Sequence, residues 1–155
     1  TNLFPNDPPE FIIMEAQAAD CLYRGALAGD GAPRIVDGDL QTIMAGLACG
    51  EPNTISWDIL RNHTTAFVSC PDWVTARGMR TLGAPEKGDP RVISGESGAV
   101  TTGLVETLML DPEYAELKEL IGLDKTSSVL CFSTEGDTDP DQYRRIVWEG
   151  EYPTC

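Results

Sequence analysis

Residues 91–110, RVISGESGAVTTGLVETLML, constrain the chain most, because the pattern changes character twice within a few positions. Val92 and Ile93 read as a short apolar strand, Ser94-Gly95-Glu96-Ser97-Gly98-Ala99 as a tight loop, and the small and aliphatic run behind them as a helix. Gly95 and Gly98 let the backbone turn sharply and come close to something flat. The helix start behind them presents unpaired N–H groups and the positive end of the dipole. Two readings stay open: a ligand loop, or a plain strand-to-helix turn with Ser97 as N-cap.

Residues 127–143 repeat the arrangement, with SSVLCF as a buried strand, STEGDTD as a polar loop, and a helix from Pro140 capped by Asp139. Ligands of open α/β sheets lie beyond the carboxyl ends of strands, so both polar loops are expected at one crevice. Upstream, residues 1–10 read as an extended lead-in and residues 11–14 as the first strand; a helix over residues 16–28 is stopped by Gly29 to Pro33. Ser56 is expected to cap a short helix carrying Trp57, Ile59 and Leu60, and residues 66–68 form the next strand. Pro71 suits a helix's first turn, with Val74, Gly78, Met79 and Leu82 as its buried stripe. A further helix from Asp111 is expected to turn Tyr114, Leu117, Leu120 and Ile121 to the core and to end at Gly122. Trp73 and Trp148 are read as core packing or a subunit face. Strands alternating with helices predict an α/β fold, a mainly parallel sheet covered by helices on both faces in three layers, as a single domain over residues 1–155.

A net charge of -14, with 11 lysines and arginines against 25 aspartates and glutamates, leaves no basic surface for nucleic acid. No run of 18 apolar residues and no basic-then-apolar leader occur, so the expectation is a soluble cytoplasmic protein without a membrane partner. The cysteines (Cys21, Cys49, Cys70, Cys131, Cys155) show no zinc spacing, and His63 stands alone. Asp137, Asp139 and Asp141 fail as a calcium loop because Gln142 and Trp148 stand where glycine and glutamate are required. No metal site is expected.

Four segments in order carry a resemblance: AGLACGEP (45–52), VSCPDWVTARGMR (68–80), ISGESGAV (93–100) and FSTEGDTDPDQYRRIVWEG (132–150). Together they resemble the C-terminal part of the diaminopropionate ammonia-lyase family, pyridoxal-phosphate enzymes related to threonine dehydratase and the tryptophan synthase β chain. The resemblance implies a partial tryptophan synthase β-like fold, pyridoxal phosphate as cofactor, and α,β-elimination of 2,3-diaminopropionate to pyruvate and ammonia. It also implies a small amino-acid substrate and a homodimer. It places Ala45, Gly46 and Leu47 against the cofactor ring, where a side chain at Gly46 would collide. Glu96 takes the acidic position beside the ring. Ser133, with Thr134, takes the hydroxyl position at the pyridine nitrogen; for that pair, turn capping is the alternative.

Catalysis with this cofactor needs a Schiff-base lysine and a nest of backbone N–H groups for the phosphate. Lys87 sits in a charged turn, Lys118 on a wet helix face and Lys125 in a polar loop, so none fits the role. In the family the lysine and the glycine-rich loop lie upstream. The chain therefore reads as a C-terminal fragment with no catalytic residue of its own, inactive alone and not binding the cofactor by itself. Alternatives are a serine or threonine dehydratase-like lyase, against which loop 94–99 argues mildly, and a non-catalytic subunit-contact or small-molecule-binding domain. The family also places Cys49 near the crevice mouth, so Cys21 and Cys49 are expected to approach each other, reduced by default in a cytoplasmic protein and able to form a disulfide under oxidation.

Overall fold

The computed structural model describes Asn6 and residues 8–154, so part of the lead-in over residues 1–10, and Cys155, lie outside the described residues. Strands β1 (Ile12–Ala16) and β2 (Ala66–Cys70) pair in parallel, with Ile12 opposite Ala66 and Ala16 opposite Cys70. Their crossover carries α1 (Cys21–Ala28) and α2 (Thr54–His63), as parallel pairing demands. The helix expected over residues 16–28 splits: a 3-10 turn (Gln17–Ala19) comes first and Asp20 leaves helical geometry at ψ 52°. The Glu15 carboxylate then turns in and accepts from the Leu22 and Tyr23 N–H groups at 3.0 and 2.7 Å, capping α1 from the strand. Burial raises the Glu15 pKa above the usual carboxylate range despite those two bonds. The left-handed Gly29 (φ 69°) ends the helix.

Helix α2 is capped by Asn53, whose side-chain oxygen accepts from the Ser56 N–H at 3.0 Å. Ser56 therefore belongs to the first turn and is not the cap. Helix α3 (Asp72–Gly83) starts after Pro71, and Val74, Gly78 and Met79 are buried as expected, Leu82 partly. Against it lies α4 (Glu96–Leu110), which begins one residue after its cap Gly95. The two helices approach backbone to backbone: a Cβ at Gly103 would overlap the Val74 carbonyl oxygen and lie 2.8 Å from its carbon. A 3-10 turn (Pro112–Tyr114) leads into α5 (Ala115–Leu120). Tyr114, Leu117 and Ile121 pack on the core, but Leu120 is 77% exposed, because the 3-10 start rotates the stripe that a continuous helix would have buried. Helix α6 (Pro140–Val147) is capped by Asp139, which accepts from the Gln142 N–H at 3.0 Å, and buries Tyr143 and Ile146. Trp73 packs against the core, whereas Trp148 is 75% exposed.

One apolar cluster joins Ala16 and Cys70 of the strands to Val74 of α3 and Val100, Leu104 and Leu108 of α4; a second joins Ala76 and Met79 to Ala99, Tyr143 and Ile146. The α/β class and the parallel sheet stand, but among the described residues the sheet has two strands. Residues 92–93 and 128–132 carry no ladder, and Ile93, Leu130 and Phe132 are exposed. Their apolar composition is that of strands; what they lack among the described residues is a paired strand, the Val92 N–H donating instead to the Leu82 carbonyl at 3.0 Å. No helix among the described residues is long and apolar enough to cross a membrane.

Candidate active site

The first turn of α4 gathers the candidate residues. Ser97 is inside that turn, not its cap. Its hydroxyl accepts from the Gly46 N–H at 3.0 Å, and its own N–H donates to the Glu135 carboxylate at 2.7 Å. Glu135 thus brings the negative charge that a helix N-terminus favours, from a loop 38 residues away in sequence. The Gly95 N–H donates to the Glu135 carbonyl at 3.0 Å, and Ser133 donates to the fully buried Ser94 hydroxyl at 2.8 Å. The two polar loops are therefore stitched together, as a shared crevice requires.

The glycines have a reason the sequence did not disclose. A Cβ at Gly98 would come within 2.9 Å of the Thr134 nitrogen and 3.1 Å of the Ser133 Cα, so the flat surface it approaches is the second loop. A Cβ at Gly46 would sit 2.8 Å from the Ser97 hydroxyl, so this chain's own packing already demands glycine there. Ala45, Gly46 and Leu47 form one 3-10 turn; Ala45 faces the cavity described next, while the Leu47 side chain packs on the core.

A cavity of about 470 Å³ opens beside this turn, and Ala45, Glu96, Glu135, Asp72 and Tyr152 are among its walls. Glu96 is 7% exposed and its Oε1 has no hydrogen-bond partner. The Thr75 hydroxyl of α3 donates to the Glu96 carbonyl, fixing its backbone while the carboxylate stays free. Asp72 ties the approach segment down by accepting from the Thr42 hydroxyl and the Ile43 N–H. Of the six residues singled out in the sequence, Ala45 and Glu96 line the cavity; Gly46, Leu47, Ser133 and Thr134 support it without lining it. Asp72 and Glu135 were missed as site residues. A carboxylate within a first helical turn was the available signal for Asp72, and for Glu135 there was none.

A ring cofactor with polar edges fits what is present: a buried, unpartnered carboxylate oxygen and, on the next loop, a serine hydroxyl pair. Lys87, Lys118 and Lys125 are not among the residues that line this cavity. No cluster of three His, Cys, Asp or Glu among the described residues is placed to hold a metal ion.

The expected neighbourhood of Cys21 and Cys49 is present, with the Cys21 thiol 3.5 Å from the Cys49 carbonyl oxygen; both thiols are free. Burial pushes the Cys21 thiol up to about 11 and that of Cys70 up to about 12. Near neutral pH iodoacetamide should therefore alkylate exposed Cys49 at least about tenfold faster than Cys21 or Cys70, since only the thiolate reacts. Equal rates in a peptide-resolved time course would contradict the burial.

No family model matches the chain. Diaminopropionate ammonia-lyase of Escherichia coli K12 is 53% identical over 141 residues, which is 91% of this chain and 35% of that protein. The crystal structure of the Escherichia coli enzyme in complex with an aminoacrylate-PLP azomethine reaction intermediate superposes with a TM-score of 0.80 at 51% identity, over 91% of this chain and 35% of that one. The crystal structure of a threonine deaminase from T.th. gives a TM-score of 0.54 at 18% identity over 63% of this chain and 33% of that one, a likeness of fold alone. The chain spans about a third of the length of the relatives it matches, 35%. With half its residues shared along nine-tenths of its length, the chain is similar to the C-terminal part of diaminopropionate ammonia-lyase, and its fold is similar to that of these pyridoxal-phosphate-dependent, tryptophan synthase β-like enzymes.

Proposed function

We propose that the chain forms one wall of the crevice of a pyridoxal-phosphate-dependent ammonia-lyase that eliminates the β-amino group of 2,3-diaminopropionate, giving pyruvate and ammonia. In this reading residues 1–155 are one α/β domain of a cytoplasmic homodimeric enzyme. The observation that supports it is the free, buried Glu96 carboxylate on a cavity where both polar loops meet. When bound, the cofactor supplies an electron sink for the charge left on the α-carbon. The chain's part is positioning. The Gly46 N–H, anchored on Ser97, fixes the Ala45–Leu47 turn, which would lie against the cofactor ring. Hydroxyl protons rotate freely, so Ser94 can donate to Ser133 and leave the Ser133 proton for the ring nitrogen. A neutral partner there, in place of a carboxylate, suits loss of a β-substituent over return of the α-proton.

Alone, the chain presents no lysine to the cavity, so it is expected to be inactive and not to hold the cofactor. The test is a chimera in which this chain replaces the matching 35% of the Escherichia coli enzyme, assayed on 2,3-diaminopropionate. It should be active. In it, Ser133→Ala should weaken cofactor affinity and slow elimination about twofold to tenfold, since a neutral hydrogen bond contributes about 0.5 to 1.5 kcal/mol. Ser133→Asp should instead shift the visible absorption of the bound cofactor and raise side transamination. Thr134→Ala, run beside it, checks which hydroxyl is used. An active chimera in which neither alanine variant changes affinity or rate, and Ser133→Asp shows no new absorption, returns residues 133–139 to a capping turn.

A further inference from the structure

We propose that Arg80 is a positioning residue for the crevice: by gripping the segment after α6 it holds Tyr152 across one side of the opening, as a fixed wall that limits solvent entry. The consequence for a substrate rests on the lyase reading; the grip itself does not.

Arg80 lies in the last turn of α3 and does not line the cavity. Its guanidinium donates to three backbone carbonyls, those of Ile146 at 3.0 Å, Glu151 at 2.9 Å and Tyr152 at 2.8 Å, which lie 66 to 72 positions later in the sequence. The C-terminal ends of α3 and α6 meet here: a Cβ at Gly83 would come within 2.9 Å of the Tyr143 hydroxyl and 3.3 Å of Val147. Two negative helix ends side by side favour a nearby cation, and the Ile146 carbonyl is one that α6 cannot satisfy by itself. Burial lowers the Arg80 pKa, yet a guanidinium stays charged.

Capping α6 needs only the first of the three bonds. The other two fall on residues outside the helix, and they account for the backbone there. Gly150 (φ 79°) reverses the chain, the Glu151 N–H donates to the Arg145 carbonyl at 3.1 Å, and the Glu151 carboxylate pairs with the Arg145 guanidinium at 3.3 Å. Tyr152 then stands at φ 55°, a left-handed conformation that a bulky residue seldom adopts unless its surroundings impose it. The Arg80 bond to its carbonyl is what holds it so.

The product of that strain is a ring on the cavity, beside Thr42, Ile43 and Asp72. At 39% exposure Tyr152 stands at the boundary between cavity and solvent. Burial, and then the Asp72 and Glu151 charges, raise its phenol pKa, so the ring stays neutral beside those carboxylates. A planar guanidinium can hold three carbonyls in one geometry, whereas a lysine ammonium on a flexible stem does not reproduce that fork.

The test uses NMR on the chain as it stands, reading how strongly a neutral gadolinium chelate relaxes each backbone amide. Tyr152→Ala should raise the effect at the Ile43 and Ala45 amides at least about twofold, with Leu117 and Ile121 unchanged as remote references. Arg80→Ala should raise it as much, although the Arg80 side chain is not in the cavity, and Arg80→Lys should recover less than about half of the difference. Tyr152→Ala removes no buried residue, so it carries the test even if Arg80→Ala fails to fold. In the chimera both alanine variants should raise KM about threefold or more and leave kcat within about twofold, because a fixed wall acts alike on bound and reacting substrate. A folded Arg80→Ala protein whose Ile43 and Ala45 amides stay as protected as in the parent, whatever its melting temperature, reduces Arg80 to a cap of α6. Unchanged protection in Tyr152→Ala removes the wall. Either result overturns the proposal, as does an active chimera whose KM neither variant moves. An inactive chimera sinks the lyase reading alone, since the relaxation measurement needs neither cofactor nor substrate.

Discussion

Gly103→Ala should lower the stability of the chain by about 3 kcal/mol or more, a loss on the scale of severe overpacking. For a chain of this size that corresponds to a melting temperature about 6 to 12 °C lower. The new methyl group would overlap the Val74 carbonyl oxygen and press on the Gly78 nitrogen, 3.0 Å away. Both atoms belong to the backbone of α3, so no side chain can rotate aside and the whole helix must translate. From the other side, a Cβ at Gly78 would overlap the Ala99 carbonyl oxygen and lie 2.6 Å from the Gly103 nitrogen, so the pair of glycines fixes the axis spacing in both directions. Moving α3 would also separate Val74 from Val100 and Leu104 in the central cluster. Gly136→Ala is the matched control, since a Cβ there meets nothing within 4 Å. A Gly103→Ala protein melting with the parent would contradict this account of the helix contact.

The sequence disclosed what periodicity and local chemistry can carry. The apolar runs of β1 and β2, the stripe of α3 and the Asp139 cap of α6 are all decided by residues within one turn or one strand of each other. Two expected strands failed for a non-local reason. Residues 92–93 and 128–132 have strand composition, but a strand exists only when a second extended segment runs beside it, and among the described residues neither pairs into a ladder; Val92 donates a single bond, to the Leu82 carbonyl in α3. The same limit explains the site. Gly46, Gly95 and Gly98 were legible as close approaches, yet what they approach, Ser97 and the 133–136 loop, follows only from the folded chain. Glu135 was invisible because its partner, the Ser97 N–H, lies 38 positions away. Glu96 was legible through resemblance; that its oxygen is buried without a partner is a fact of packing.

The chain by itself should show no turnover of 2,3-diaminopropionate with added pyridoxal phosphate, whereas the chimera with the Escherichia coli relative should turn it over. The difference is all or none, because an elimination of this kind needs an amine held over the cofactor in a site that keeps it unprotonated. Here Lys87 and Lys125 are exposed and Lys118 half-buried, and all three lie away from the cavity. Ordered walls on one side of a crevice do not replace that group. The central claim is that this chain supplies the Glu96 and Ser133 wall while the reactive amine comes from elsewhere in the enzyme. The most direct measurement is borohydride reduction after incubation with pyridoxal phosphate, followed by peptide mass spectrometry of the chain and of the chimera. The expected result is no stoichiometric label on the chain alone and, in the chimera, one labelled lysine outside the transplanted residues. Stoichiometric labelling of Lys87, Lys118 or Lys125 would contradict it.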